Sequence, residues 1–400
     1  MANNLAIESI KKAFSGTKAV FKRELRQMFS RPIYIYGTVG IIMFCCIFFS
    51  TMMKDGVPQK LPIGLIDNDN SSLSRRFLRE FNATQGVYVY KYYNTYREAR
   101  MAMQEGKIFG FVEIPSNMYA DLLSYKRPKI RVYVTESFMV PGTFSYKTFL
   151  EMANLASGAV QREVLRAKGL NDNQIMGLIQ PILIDSHYIG NPWTNYGVYL
   201  VNIILPGILQ LVIIMMTVFS IGFELKRRTS REWLKEANGS IVAAITGKML
   251  PYTILYLVLG FFIEILLYKI LNYPLAGSLF TMFTATFLLI IAAQAIGFFM
   301  IGLFPVLRDA LSFASIFSIL SLSLAGMTFP LESMPGPIWM IGQLFPLRYY
   351  YLIYVHAGML GGGYGSCWYC FIALLCFILL PLLVIKRLES AMVKMNYPIK

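Results

Sequence analysis

Six long apolar runs, separated by polar segments, dominate the pattern of hydrophobic and polar positions along the chain. Each run has roughly the 20 mostly apolar residues that a helix needs to cross the hydrocarbon core of a bilayer. The runs cover residues 32–53, 198–223, 249–271, 279–304, 310–328 and 367–385. The pattern predicts a membrane all-α bundle of six transmembrane helices, the first at 32–53 and the others within 197–388.

The polar segment at 1–31 is amphipathic. Its apolar residues recur at helical spacing on one face, and lysines and arginines fill much of the remainder. The apolar residues are Ile7, Ile10, Phe14, Phe21, Leu25 and Met28. We expect a cytoplasmic helix that lies in the membrane interface; a short soluble helix is the alternative.

The segment at 54–196 predicts an inserted extracytoplasmic α+β domain, because strand-like and helix-like stretches alternate in it. The strand-like stretches are LPIGLID, VYVYKYY, IFGFVEI and KIRVYVTE. Helices are predicted at 72–81, 95–104, 117–125 and 144–168, and the stretch PILIDSHYI then leads back to the membrane. A segment of about 140 residues is large enough to have its own core.

Composition and charge agree with a membrane protein. The chain is 56% hydrophobic and 15% charged, with a mean hydropathy of +0.52, whereas soluble domains are about 25% charged. The net charge of +15 lies mainly before the first run, in the connection at 224–247 and around the tail at 389–400. Basic residues beside spans mark the cytoplasmic side, so six crossings place both termini in the cytoplasm and 54–196 outside.

A proline-rich segment at 329–366 follows the fifth run. Its prolines prevent one continuous helix, yet the segment stays rich in apolar and aromatic residues. Irregular backbone is tolerated at membrane depth only where protein shields it. We therefore expect short re-entrant or interfacial helices on the outer side.

Motifs for chemistry are incomplete. The stretch TGKM contains part of a phosphate loop, but Met249 stands where a hydroxyl is needed and Val242 where the first glycine is needed. The stretch DNDNSS begins like a calcium-binding loop, but Ser72 replaces the glycine of its sharp turn. It is more simply a helix cap provided by Asp69, Asn70 or Ser71. We predict no catalytic residue, metal site or bound cofactor in this chain.

The five cysteines predict no disulfide framework, because all lie in or beside the apolar runs. Cys367 and Cys370 have the spacing of a redox pair but open a membrane span, and the sequence leaves their redox activity undecided. Three polar side chains within the spans are candidates for the translocation path: Gln210, Glu264 and Gln294. For the two glutamines, hydrogen bonds between helices are the alternative.

Several of these stretches together resemble the permease subunits of the type-2 ATP-binding-cassette exporter family. They are FKRELRQMFSRP, IGLIDNDNSSLSRRF, GKIFGFVEIPSNMYADL, FELKRRTSREWLKEA with ITGKMLPY, and LAGMTFPLESMPGPIWMIGQLFPLRYY. The resemblance covers essentially the whole chain in the same order. One departure is Arg228, where the family often has a glycine before Thr229.

The resemblance implies that residues 224–237 form the region that docks on a separate ATPase subunit. The implied coupling residues are Glu224, Thr229, Arg231, Glu232, Trp233 and Leu234. An amphipathic helix that exposes Trp233 and Leu234 as an apolar anchor would suit docking; a helix lying on anionic lipid is the alternative. The implied outer signature residues are Pro330, Glu332, Pro335, Pro346 and Arg348.

The resemblance further implies a multi-pass permease in a bacterial cytoplasmic (inner) membrane that exports an amphipathic or hydrophobic substrate, as in multidrug efflux. Separate ATPase subunits would bind ATP and Mg, and a second copy or a related permease chain would complete the pathway. Membrane lipids and a periplasmic adaptor are further expected partners, and nucleic acid is not. A non-transporting membrane receptor or scaffold with a large outer domain is the alternative function.

Overall fold

The computed structural model of the chain describes residues 2–124, 126–182, 184–394 and 397. It divides into two compact units. One, the membrane unit, comprises Met1–Gly56 and Tyr188–Lys400, and the other, the sheet unit, is Val57–His187.

Within the described residues, five helices are long and apolar enough to cross a membrane. They are Pro32–Met52, Tyr196–Arg227, Ile241–Ile270, Leu279–Leu303 and Trp368–Lys394, and we number them M1 to M5 in this order. Three of them include short π-helical stretches or turns that do not interrupt the span. The chain is therefore mostly helical and has the helices of a multi-pass membrane bundle.

The predicted span at 310–328 forms a shorter helix than the sequence indicated. This helix, the short helix, runs from Leu307 to Ser323 and has 17 residues. It ends in a turn at Leu324, and Gly326 with φ +94° and then Pro330 prevent its continuation. Its crossing of the membrane, and hence the count of six spans, stays a prediction.

The centre of the membrane unit is formed by M2 and M4. In their most apolar stretches 67% and 78% of residues are buried inside the protein, against 22% in M1 and 17% in M5. M1 and M5 instead expose large apolar side chains, among them Phe44 and Leu383. Such side chains suit contact with lipid or with another membrane protein.

The N-terminal helix, Ala2–Ser30, precedes M1. Its buried side is a stripe of Gly16, Val20, Glu24 and Met28, spaced four residues apart. The predicted apolar face is only partly buried, since Phe14 is 74% exposed. The face that packs on protein thus contains a glutamate and a glycine, and the exposed Phe14 and Leu25 are left for contact with the membrane interface, where the position of this helix stays a prediction.

The proline-rich segment contains short helical pieces, as its prolines indicated. They are Leu331–Ser333, Gly336–Gly342 and Pro346–Ile353, and the last continues as a π-helical stretch, Tyr354–Met359. Prolines stand at the first turns of the two longer pieces, where a missing N–H costs nothing.

The sheet unit has a four-stranded mixed sheet with the strand order β2-β1-β3-β4. The strands are β1 (Leu61–Asp67), β2 (Val87–Tyr92), β3 (Gly110–Ile114) and β4 (Arg131–Val134). β1 is parallel to β2 and β3, and β4 is antiparallel to β3. The central β1 is buried along most of its length, as expected for a parallel strand covered on both faces.

Helices alternate with these strands. They are Ser72–Asn82, Tyr96–Gln104, Met118–Leu123, Met139–Ala167 and Asp172–Ile179. Ser71 caps the first of them by accepting a hydrogen bond from the Ser74 backbone N–H at 3.0 Å. The helix Asp172–Ile179 was not predicted from the sequence, and residues 184–189, which lead back towards the membrane unit along the chain, are irregular.

Candidate functional site

The connection between M2 and M3 has a defined backbone. M2 ends at Arg227, and Arg228 takes a left-handed conformation with φ 60° and ψ 24°. A helix of seven residues, which we call the connecting helix, then runs from Ser230 to Glu236. Ser240 caps the start of M3. The left-handed position explains why a glycine would suit this site, because glycine adopts positive φ without steric cost.

Four charged side chains meet beneath the connecting helix, three of them buried and Arg23 half-buried. We call them the charge cluster: Arg23, Glu24, Glu224 and Lys248. Lys248 Nζ lies 2.7 Å from Glu24 Oε2 and 3.4 Å from Glu224 Oε1. Arg23 Nη2 lies 3.0 Å from Glu224 Oε1. The cluster thus joins the N-terminal helix, the end of M2 and the start of M3.

The charge cluster is balanced and largely satisfied by hydrogen bonds. It contains two cations and two anions; the Tyr252 hydroxyl donates to Glu24 Oε1 at 2.8 Å, and the Thr229 hydroxyl donates to Glu224. Glu24 and Lys248 are fully buried. A buried pair of this kind adds little net stability, but removal of one partner leaves an uncompensated charge. The cluster therefore favours one arrangement of the three helices.

The N-terminal helix also packs closely on the connection. A methyl group at Gly16 would lie 2.8 Å from the Ala237 carbonyl carbon, and one at Gly247 would lie 2.7 Å from the Thr17 carbonyl oxygen. Asn238 Nδ2 donates to the Lys12 carbonyl oxygen at 2.8 Å. These close approaches require the two glycines and hold the connection against the N-terminal helix.

Trp233 is buried, so the prediction that it forms an exposed anchor is wrong. Its side chain has 0% exposure, its Nε1 donates to the Ala244 carbonyl oxygen at 3.1 Å, and Lys248 Nζ lies 5.1 Å from its ring centroid. Leu234 is half-buried. The apolar side of the connecting helix packs on its own chain because M3 and the charge cluster lie beneath it.

The polar side of the connecting helix is exposed. Glu232, Lys235 and Glu236 are exposed, whereas Arg231 uses Nε and Nη2 to donate to the Val393 carbonyl oxygen at 2.9 and 2.7 Å. Ser230 donates to the Met392 carbonyl oxygen at 3.0 Å. The connecting helix is thus also tied to M5, and its free surface is charged.

The structure brings together only part of the predicted coupling set. Glu224 belongs to the charge cluster, Thr229 donates a hydrogen bond to Glu224, and Glu232 lies on the exposed side. Sequence reasoning missed Arg23, Glu24 and Lys248. Two signals were present: Glu24 lies four residues from both Val20 and Met28, and a lysine beside an apolar run needs a partner.

The polar side chains within the membrane helices form hydrogen bonds between helices. Gln210 Nε2 of M2 donates to Ser321 Oγ of the short helix at 2.9 Å. The Thr253 hydroxyl of M3 donates to Gln294 Oε1 of M4 at 2.8 Å. Both fit the alternative interpretation of the glutamines as contacts between helices; a place on the translocation path stays a prediction.

Glu264 of M3 is fully buried against the proline-rich segment. The Tyr350 hydroxyl donates to Glu264 Oε1 at 2.7 Å, and the Thr286 hydroxyl of M4 donates to the same oxygen. Glu264 Oε2 is buried and has no hydrogen-bond partner among the described residues. This carboxyl group connects two membrane helices to the proline-rich segment.

The outer signature residues include one ion pair. Arg348, which is 5% exposed, donates from Nη2 to Glu332 Oε1 at 2.8 Å. This hydrogen bond lowers the pKa of the Glu332 carboxyl below its usual range. Pro330 and Pro335 precede short helices and Pro346 begins one, so the prolines act on the backbone.

Other sequence candidates remain unpaired or distant from this site. Cys367 and Cys370 are both free thiols and both buried. The described residues contain no group of acidic, histidine or cysteine side chains suited to a metal. Lys248, the lysine of the incomplete phosphate-loop motif, belongs instead to the charge cluster, where it is engaged by two glutamates.

Comparison with known protein families places the chain among membrane transporters. The sequence profile described as ABC-2 family transporter protein matches residues 33–385. No curated protein matches the chain. The profile spans M1 to most of M5, together with the charge-cluster residues Glu224 and Lys248. On this match, which covers most of the chain, the protein belongs to the ABC-2 transporter family and is an ABC-type membrane permease.

Proposed function

We propose that the chain is the permease subunit of an ATP-binding-cassette exporter. It moves an amphipathic or hydrophobic substrate out of the cytoplasm or the inner leaflet, and separate ATPase subunits bind ATP and Mg and supply the energy. Family membership supports an ABC permease with ATPase partners in general. Two copies, or this chain and a related one, form the pathway.

The observation that carries this proposal is the set of contacts made by the connecting helix. It touches the N-terminal helix through an ion pair between Arg23 and Glu236 at 3.6 Å, M3 through Trp233, and M5 through Ser230 and Arg231. A push on this helix therefore reaches several membrane helices at once. That connection is what an ATPase needs in order to move the bundle.

The docking surface of this proposal is the exposed charged side of the connection. Its residues are Lys226, Arg227, Arg228, Glu232 and Lys235. Because the apolar side is buried, the ATPase contacts charges and backbone rather than a tryptophan. Charged groups at an interface set specificity and association rate, which suits the selection of one ATPase subunit among several.

Mild solubilisation of the full chain from its native membrane tests the proposal. An ABC ATPase subunit should co-purify in stoichiometric amount, and the complex should hydrolyse ATP. Recovery of the chain without any ATPase, from a membrane where such subunits are present, would contradict an exporter role and favour the receptor or scaffold alternative.

A further inference from the structure

A second site lies on the side of the connecting helix that faces M5. A cavity of about 190 Å³ is lined by Ser230 of the connecting helix, by Arg387, Ser390 and Lys394 of M5, and by Tyr397. We call it the basic pocket. At the liquid volume of water it has room for roughly six water molecules, which is enough for a tetrahedral phosphate group.

The cations of the basic pocket have no anionic partner among the described residues. Arg387 and Lys394 are both exposed, and neither forms an ion pair within the part of the chain that the structure describes. They are seven residues apart on a helix, which places them two turns apart on about the same face. Two cations therefore face one cavity without a counter-charge.

Hydroxyl groups add hydrogen-bond donors to this cavity. The Tyr397 oxygen accepts a hydrogen bond from the Leu307 backbone N–H at 3.1 Å, so its own proton is free to be donated. The Ser390 hydroxyl has no hydrogen-bond partner among the described residues, whereas the Ser230 hydroxyl already donates to the Met392 carbonyl oxygen. Two cations and two free hydroxyls make charge-assisted hydrogen bonds of the kind that phosphate oxygens accept.

The surface of M5 places the basic pocket at headgroup depth. Leu382 and Leu383 are 67% and 76% exposed and suit contact with lipid chains. Leu383 and Arg387 are four residues apart and so lie on one face of the helix. Arg387 thus lies one helical turn beyond the exposed leucines on the same face of M5. That is the depth at which the phosphate of a lipid headgroup would lie.

We propose that the basic pocket binds a phosphate group, and that this group belongs to the headgroup of an anionic lipid. The lipid bridges M5 and the connecting helix at the position where Ser230 and Arg231 already join them. This inference depends on insertion of the chain in a membrane and not on the exporter proposal, because it concerns the resting contacts of M5.

Lipid titration of the purified full chain tests the site. Binding of phosphatidylglycerol is followed by native mass spectrometry for the unmodified chain, for Arg387→Gln with Lys394→Gln, and for Lys386→Gln. Lys386 is the matched control, because it is an exposed cation next to Arg387 that does not line the pocket. Juxtamembrane cations contribute enough that loss of both should weaken the first binding event about 30-fold.

The control should bind lipid as tightly as the unmodified chain, and Ser390→Ala should weaken binding without affecting charge. An equal loss of lipid affinity in Lys386→Gln, or no loss of affinity in the double variant, would contradict the assignment of the basic pocket as the lipid site. Competition by millimolar inorganic phosphate distinguishes the source of the group. If free phosphate binds by itself and displaces the lipid, the lipid assignment is overturned in favour of a soluble phosphate compound.

Discussion

A single buried lysine, Lys248, holds two glutamates from different helices. Its ammonium group is the shared partner of Glu24 and Glu224, and it also faces the ring of Trp233. Cation–π contacts of this kind gain strength when they are desolvated. At the residue scale the connection is therefore fixed by charge in a protein interior rather than by apolar contact alone.

Lys248→Met should destabilise the chain strongly, because it leaves Glu24 without a cation. Breaking a buried pair costs about 3–5 kcal/mol of unfolding free energy, which thermal unfolding of the full chain in detergent would detect as a lower midpoint. Lys235→Met, at an exposed site on the connecting helix, is the control and should leave the midpoint unchanged. Adding Glu24→Gln to Lys248→Met should restore part of the loss. Equal midpoints for the two single variants would contradict the charge cluster.

The ion pair of Glu332 and Arg348 gives the protein a weak pH dependence. The pKa of the Glu332 carboxyl is lower in the folded state than in the unfolded chain. The ion pair therefore stabilises the folded state fully at pH values above the pKa of the unfolded chain, and this contribution is lost as the pH falls through the folded-state pKa. The Glu332 side chain is 64% exposed, so the gain stays below about 1 kcal/mol. Glu332→Gln should be less stable than the unmodified chain at pH 7, and the difference should shrink below about pH 4.3. A difference that grows on acidification would contradict the pair.

Trp233 shows what sequence can and cannot decide at one position. The pattern of the connecting helix indicates an apolar side, but it does not say whether that side meets a partner or the chain itself. Here the side meets M3, so Trp233→Ala would leave a core cavity, at a cost of about 3–5 kcal/mol. That variant is therefore unsuitable as a test of docking. For Arg228, by contrast, the resemblance pointed to the position, because the family often has a glycine there, and the residue has a left-handed backbone conformation.

At the scale of elements, apolar runs located the membrane helices well but not their ends. M1 and M4 match the predicted spans to within a residue or so, whereas M3 starts at Ile241 rather than at 249. Ser240 caps that earlier start by accepting from the Ala243 backbone N–H, and the helix continues through Thr246, Gly247 and Lys248. A hydropathy pattern detects the apolar core of a helix; the polar turns that extend it depend on caps and packing.

The short helix decides the topology. At 1.5 Å per residue its 17 residues extend for about 26 Å, just below the roughly 30 Å of a hydrocarbon core. If it crosses, M5 ends on the same side as the connecting helix; if it does not, M5 ends on the opposite side. Hydrogen bonds from Ser230 and Arg231 to the Met392 and Val393 carbonyl oxygens place the end of M5 beside the connecting helix. The basic residues around both also favour the same side, and both observations support a crossing by the short helix.

Single cysteines in a background without native cysteines should report this topology. We expect a membrane-impermeant thiol reagent, added from outside, to label Arg97→Cys in the sheet unit. Lys235→Cys and Lys386→Cys should react only after the membrane is permeabilised. Labelling of Lys386→Cys from outside, with Lys235→Cys still protected, would show five crossings and contradict the six-helix account.

At the scale of the whole molecule, the two units divide the structure into a helical bundle and a mixed sheet with helices. The sequence pattern indicated both: long apolar runs indicated the bundle, and alternating strand-like and helix-like stretches indicated the sheet, because strands and helices have different hydrophobic periods. The charge cluster was not, since Arg23 and Glu224 are separated by about two hundred residues along the chain. One sequence carries no direct record of which distant residues meet, and only packing of three helices brings these charges together.

The central claim is that a separate ATPase subunit acts on this molecule through the exposed side of the connecting helix. Glu232 and Lys235 test it more cleanly than Arg231, whose guanidinium also holds M5. The variant Glu232→Lys with Lys235→Glu keeps net charge and leaves the charge cluster untouched. Arg97→Glu, on the sheet unit, is the control.

The decisive measurement is ATP hydrolysis by the reconstituted complex of the permease and its ATPase, together with the amount of ATPase that co-purifies. We expect Glu232→Lys with Lys235→Glu to keep the unfolding midpoint of the permease but to lose most of the bound ATPase and of the permease-dependent hydrolysis, while Arg97→Glu loses neither. Full binding and full hydrolysis in the folded double variant would contradict action of the ATPase through the connecting helix.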